Sequence, residues 1–292
     1  MLGTLARRST TCNTPTIPST LSPIRWTCLP RQVPYTQGLL LQEHLIRSRL
    51  VAKKTLLSPP PSTSPEELSS LSRVATTDIL LLLQHSPVYT TGKREKDPIQ
   101  LEREKERLGK LGADYVATGR GGQTTYHGPG QLVGYPLIDL GASKLSTRCY
   151  VDKLETFLKN LVKSYNVPVH PLEHTGVFVT PTTKIASIGV QIRRRITMHG
   201  FSINLENQTK RWFDEIVACG LDGVESTSVE KELGEEIKVE GSIERSVRLF
   251  GEMYGREMSE LKEGDEYEST RKLISDGLEG RLPEMKREML GV

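Results

Sequence analysis

Three residues able to do covalent or proton chemistry stand in unusual company in this 292-residue chain. Cys219 lies in "VACGLDG", where Gly220 lets the chain turn sharply and leaves a sulfur at a tip. A free thiol has a pKa of about 8.5 and is only a few per cent ionised near neutral pH, so a nucleophilic cysteine needs a neighbouring cation. Lys184 is the candidate. It opens "KIASIGVQI", whose even positions Ala186, Ile188, Val190 and Ile192 form an apolar face that Lys184 shares. An ammonium on that face is costly unless paired, although a lysine opening a strand can also reach into solvent. His127 lies in "RGGQTTYHGPGQLVGYP" (120–136), a stretch dense in glycine. Such a loop can aim amides at a phosphate, yet "GRGGQT" lacks the third glycine of the dinucleotide fingerprint and no Gly-Lys-Ser/Thr follows. Taken alone, the loop also fits a tight turn around a structural histidine.

The elements that must position these residues are legible in outline. "YTQGLLLQEHLIRSRLVA" (35–52) reads as a helix, "TDILLLLQ" as a buried strand and "ADYVATG" as a strand feeding the glycine loop. "QLVGYPLIDL" leaves the loop as a strand whose Pro136 predicts an edge or a bulge. Residues 146–165 carry the three-and-four spacing of an amphipathic helix, with Cys149 as inert packing near its start. "TGVFVT", "KIASIGVQIRRR" and "ITMHGFSINL" read as a strand and a hairpin, and 242–258 as a helix with Ser242 its candidate cap. The Pro/Ser-rich insertion 53–74 is expected to hold no regular element, and 259–292 to be a charged, mobile tail. Without a βαβ rhythm, this order predicts an α+β fold with a mixed, mostly antiparallel central sheet flanked by helices.

Composition narrows the partners. Residues 1–32 hold no acid and are rich in Arg, Ser and Thr, the composition of a mitochondrial transit peptide or of a disordered leader. The four arginines in this leader outweigh the net charge of +3, so the body is near neutral and lacks the footprint of a nucleic-acid binder. No run of eighteen apolar residues predicts a membrane span, two body cysteines make no disulfide framework, and the histidines and cysteines show no metal-ligand spacing.

The glycine loop together with "HSPVYTTGKR", "KIASIGVQIRR", "HGFSINL" and "ACGLDGVESTSV" resembles the lipoyl(octanoyl) transferases, the lipoate-protein ligase B family, in its mitochondrial fungal-type form. The resemblance covers nearly all of 33–255, in order, within a single catalytic domain spanning 33–258. It implies the biotin/lipoate protein ligase catalytic fold and a matrix enzyme needing no metal or cofactor beyond the phosphopantetheine of its acyl donor. The implied reaction moves an octanoyl or lipoyl group from acyl carrier protein to a lysine of lipoyl domains, in 2-oxoacid dehydrogenases and the glycine cleavage H protein. It makes Cys219 the acylated nucleophile and Lys184 the cation that lowers its pKa, with amides of Ser187, Ile188, Gly189 and the Cys219 turn able to stabilise the oxyanion. It assigns acyl contacts to Arg120, Gly121, Gly122, Gln123, Thr124, Thr125, Tyr126, His127, Ser187, Ile188, Gly189, Gly200, Phe201 and Ser202. His127 is expected to orient the acyl carbonyl or the loop, or to serve as a second base. Arg193, Arg194 and Arg195 are expected to dock the acidic carrier beside the site. An ATP-dependent lipoate or biotin ligase, a non-catalytic acyl-carrier-binding module and a papain-like thiol hydrolase are the competing readings.

Overall fold

The computed structural model describes residues 17–95, 97–217, 220 and 223–284. Its centre is an eight-stranded mixed sheet. The strands are β1 (Ile24–Cys28), β2 (Ile79–Leu83), β6 (Gln131–Leu137), β7 (Val177–Thr180), β8 (Thr183–Arg193), β9 (Ile196–Asn204), β10 (Glu225–Ser226) and β11 (Met258–Glu260). Their order is β10-β8-β9-β6-β2-β1-β11, with β7 also on β8. The run from β2 through β6 and β9 to β8 is antiparallel, while β1 is parallel to β2 and β11, and β10 is parallel to β8. A second sheet places β3 (Val88–Thr91) between β4 (Asp114–Ala117) and β5 (Thr125–His127).

Helices cover both faces of the large sheet. α4 (Thr147–Lys163) and α7 (Ile243–Tyr254) pack Leu154, Phe157, Leu158 and Phe250 against Leu80, Leu82 and Leu132. α1 (Tyr35–Leu57) and α8 (Glu268–Leu278) bring Leu41, Leu45 and Ile274 against Ile79, Leu81, Leu83 and Val133. β2 is thus buried on both sides, which is why "ILLLL" is continuous rather than alternating. Outside the large sheet, α3 (Pro98–Gly109) and α5 (Lys210–Phe213) close a third cluster around Tyr89, Tyr126 and Phe213.

The expected boundaries shift at three places. β1 lies inside 1–32 and sits between two parallel neighbours, so that segment is not wholly a leader; residues 1–16 lie outside the described residues. In 53–74, α1 runs on to Leu57 and α2 (Pro65–Thr76) begins at a capping box. Ser64 Oγ accepts from the Glu67 amide while the Glu67 carboxylate accepts from Ser64, so the "SPEE" read as loop is a helix start. The tail is not mobile as a whole, since β11 pairs with β1 and α8 buries Thr270 and Ile274.

Smaller readings change too. Ser242 does not cap α7; its hydroxyl accepts from Tyr165. Cys149 packs against the α4–α7 core but is disulfide-bonded rather than only inert packing. Pro136 lies within an interior strand, at the point where the β6–β9 ladder ends and His199 takes a φ of 55°. The missing proline N–H therefore coincides with a break in the ladder.

One buried charge cluster ties these pieces together. Asp78, 2% exposed, accepts from Arg49 of α1 at 2.8 Å and from Arg256 beyond α7. Arg256 also donates to the Ser22 carbonyl, and Arg49 to the carbonyls of Ala75 and Leu137. Removing the carboxylate would strand two buried guanidinium groups. Asp78→Ala is expected to lose about 3–5 kcal/mol of unfolding free energy, whereas Asp265→Ala, at a more exposed pair with Arg271, loses under about 1 kcal/mol. Urea melts of both variants check this, and equal losses would show that the triad does not hold the fold.

Candidate active site

The glycine loop, the middle of the β8–β9 hairpin and the start of α1 line a half-open cavity. Of the residues expected to touch an acyl group, Arg120, Gly122, Gln123, Thr125, His127, Ser187, Ile188, Gly189, Gly200, Phe201 and Ser202 line it. Gly121, Thr124 and Tyr126 do not. The Gly121 amide instead pins the loop to the Val190 carbonyl, and Tyr126 stacks on Trp212 with centroids 5.3 Å apart. β5 alternates, so Tyr126 points to the third cluster while Thr125 and His127 face the cavity. Gly200 is there for close approach, because a Cβ would lie 2.3 Å from the Gly134 carbonyl oxygen.

Lys184 reaches the site by a route the period-two reading missed. The β7–β8 ladder slips between Val177↔Ala186 and Phe178↔Lys184, a bulge that sends consecutive Ile185 and Ala186 into the core. Lys184 thereby leaves the face of Ala186 and lines a second cavity with Asn204, Phe213 and Ser226, sharing Ser187 and Ser202 with the first. It is 7% exposed, with Nζ 3.3 Å from the Thr175 carbonyl oxygen and 5.3 Å from the centre of the Phe178 ring. Gly176, at φ 121°, leaves room for this ammonium, since a Cβ there would lie 3.1 Å from Nζ. Cys219 lies outside the described residues. Its neighbour Gly220 abuts the Gln123 side chain of the glycine loop, and β10 a few residues on is paired to Lys184 itself.

Hydrogen-bond direction fixes what the site can offer. Along β8, the Val190 carbonyl faces Gly121 and thus away from β9; amides two residues apart share a side, so the Ile188 N–H also points off the ladder. The Ser187 and Gly189 amides are turned into the β9 ladder, so of the three only the Ile188 amide points off it. Gln131 donates from Nε2 to the Tyr126 carbonyl and to Asn204 Oδ1, so its Oε1 accepts from His127 Nδ1–H at 2.6 Å. His127 Nε2 is then a bare acceptor and cannot donate to an acyl carbonyl, the first of the roles expected for it, while its Nδ1 bond to Gln131 leaves the loop-orienting role standing. Arg120 likewise serves the loop, donating to Thr90 and to the carbonyls of Gly121 and Gln123.

The sequence reading missed Tyr35, His85, Tyr135 and His199. Burial drives His85 down to about 4 and His127 and His199 down to about 3, with Arg120 adding repulsion at the last two. Their signal lay in the uneven spacing of histidine and tyrosine in "YTQG", "QHSP", "VGYP" and "MHGF", which no periodicity reveals. The arginine cluster is corrected outright. Arg193 pairs with Glu43, Arg195 donates to the carbonyls of Leu140 and Leu145, and the Arg194–Arg195 turn is the far tip of β8, roughly 30 Å from Lys184 at about 3.3 Å per residue.

A mixed sheet clad by helices is an architecture shared with solved lipoate protein ligases. The solved bipartite lipoate protein ligase of Thermoplasma acidophilum superposes with a TM-score of 0.55 over 90% of this chain and 99% of that one, at 14% identity, which shows a common fold. Residues 66–251 match the lipoyl protein ligase A/B catalytic domain, and the chain belongs to that family. Among its relatives, the octanoyl-acyl-carrier-protein:protein N-octanoyltransferase, mitochondrial, of Danio rerio is 39% identical over 65% of this chain and 82% of its own length. The octanoyltransferase of Caldicellulosiruptor saccharolyticus is 35% identical over 82% of this chain and 92% of its own.

The three depressed histidines make stability depend on acid. Each has a folded pKa below its unfolded value near 6.5, so below that pH the unfolded chain binds more protons. Their contribution is complete above pH 6.5 and lost as pH falls toward 4, by about 1.4 kcal/mol per pH unit for each ring. Urea melts between pH 7.5 and 4.5 should be flat at the upper end and fall steeply below; a flat profile throughout would refute the neutral cluster.

Proposed function

We propose that this protein is an octanoyltransferase that takes an octanoyl group from acyl carrier protein and places it on a lysine of lipoyl domains, in mitochondria, through a thioester on Cys219. The observation that carries the reading is the buried Lys184 ammonium, set by a bulge in a cavity it lines together with Glu225 and Ser226 of β10. In the first half-reaction the Cys219 thiolate attacks the carrier thioester. The carbonyl electrons return, the phosphopantetheine thiolate departs, and it takes a proton from Lys184. In the second, the lipoyl-domain amine attacks the acyl-enzyme, Lys184 accepts a proton from it, and the Cys219 thiolate is regenerated. In this scheme the Ile188 amide, turned off the β9 ladder, meets the negative oxygen of each tetrahedral intermediate. An inward ammonium also stabilises the thiolate and lowers the thiol pKa.

This scheme consumes no ATP. Its test is incubation with octanoyl carrier protein alone, followed by intact mass. The parent should carry one octanoyl adduct that a lipoyl domain discharges, and Cys219→Ala should carry none. Lys184→Ala should slow acylation by at least about a hundredfold and move the pH midpoint of Cys219 alkylation up toward about 8.5. Coincident alkylation curves for parent and Lys184→Ala would reject the pairing, and an absolute ATP requirement would reject the transferase in favour of a ligase.

A further inference from the structure

Asn204 closes a chain of side-chain hydrogen bonds that begins at His127 and ends on β10. Gln131 gives one Nε2 hydrogen to the Tyr126 carbonyl and the other to Asn204 Oδ1, at 2.8 Å. Asn204 Nδ2 then faces the other way and gives its two hydrogens to the Thr227 carbonyl, at 3.0 Å, and to Ser226 Oγ, at 2.8 Å. Main-chain carbonyls, which only accept, fix the sense of the chain at both amides, that of Tyr126 for Gln131 and that of Thr227 for Asn204. A flip of either amide would set oxygen against oxygen. Asn204 and Gln131 are 4% and 1% exposed, so solvent does not make good a bond that is lost.

β10 is where this hold has leverage. The strand is only two residues long, and its bonds to β8 flank the lysine: the Glu225 amide donates to the Thr182 carbonyl and the Thr227 amide to the carbonyl of Lys184 itself, at 2.9 Å. Cys219 precedes Glu225 by six residues, so β10 is also the anchored end of the segment that carries the sulfur. Asn204 lines the cavity with Lys184, yet both hydrogens of its amide are committed and it has no donor left for a substrate.

We infer that Asn204 is a positioning residue for acyl transfer: by fixing β10 against the glycine loop it sets the alignment of Lys184 with Cys219 on which thiolate formation depends. This rests on the thioester reading above. No substrate bond forms or breaks at Asn204; it acts through the Thr227 carbonyl and Ser226 on the two groups that do the chemistry.

The experiment compares Asn204→Ala and Asn204→Asp with the parent by the pH midpoint of alkylation, read on the Cys219 peptide, and by the rate at which octanoyl carrier protein loads the octanoyl adduct. Ala removes the amide, whereas Asp keeps its shape and sets an oxygen against the Thr227 carbonyl. Each should move the midpoint up toward about 8.5 and slow loading by about tenfold. Ser226→Ala keeps the Thr227 bond and should slow loading by about threefold; it is the deciding variant where Asn204 replacements do not fold, an unchanged rate then overturning the proposal. With Lys184→Ala already present, Asn204→Ala should slow loading by less than about a further twofold, because the pair it aligns is gone. A lower melting temperature with the parent's midpoint and loading rate marks a merely structural asparagine and overturns the proposal. So does a response from Asp without one from Ala, which charge beside Lys184 explains, or full additivity with Lys184→Ala. A parent that takes up no octanoyl adduct, or whose midpoint is untouched by Lys184→Ala, counts against the thioester reading instead.

Discussion

Exclusion of water from the sheet face beneath the start of α1 is the constraint on which the rest of the structure depends. Once the rings there are dry, ionisation is too costly for the imidazoles, and His85, His127 and His199 stay neutral at physiological pH. Neutral rings must satisfy themselves by hydrogen bonds with a fixed sense, and the carbonyl of Val33 and the amide of Gln131 set that sense. The site therefore has two characters side by side: a neutral wall of rings and small residues, and a charged corner where Lys184 is held by a carbonyl dipole and an aromatic face.

The charged corner exists because the backbone departs from regularity. A strict strand would have turned Lys184 toward α4, into the company of Leu154 and Phe157, where an ammonium has no partner. The slip between β7 and β8 moves one residue across the sheet and rescues it. Gly176 and Gly200 serve the same end, each vacating space that a Cβ would fill, one for the lysine stem and one for the approach of β9 to β6.

Much of this was legible in the sequence, and the failures have physical causes. Apolar periodicity located α1, β2, α4 and the β8–β9 hairpin, because burial imposes a period wherever an element has one dry face. The glycine loop stood out by its composition, whereas the Ser187 and Ser202 stretches were placed at the cavity only through the family resemblance. Phase failed at Lys184, since a bulge leaves no local mark in composition. Tyr126 was misassigned for the opposite reason, as strand alternation sends it away from its neighbours Thr125 and His127. The arginines of the hairpin tip looked like one patch only because they are adjacent in sequence; Glu43 and two carbonyls absorb two of them. "SPEE" was read as loop from its composition, although the residues that disfavour a helix interior are those that start one.

β1 limits how far the chain tolerates shortening from its amino end. The strand separates β2 from β11, and the Ser22 carbonyl just before it is held by Arg256. A truncation that spares the sheet has to stop short of Ser22. One a dozen residues longer would open a slot in the sheet, strip β11 of its neighbour and release the guanidinium that anchors Asp78.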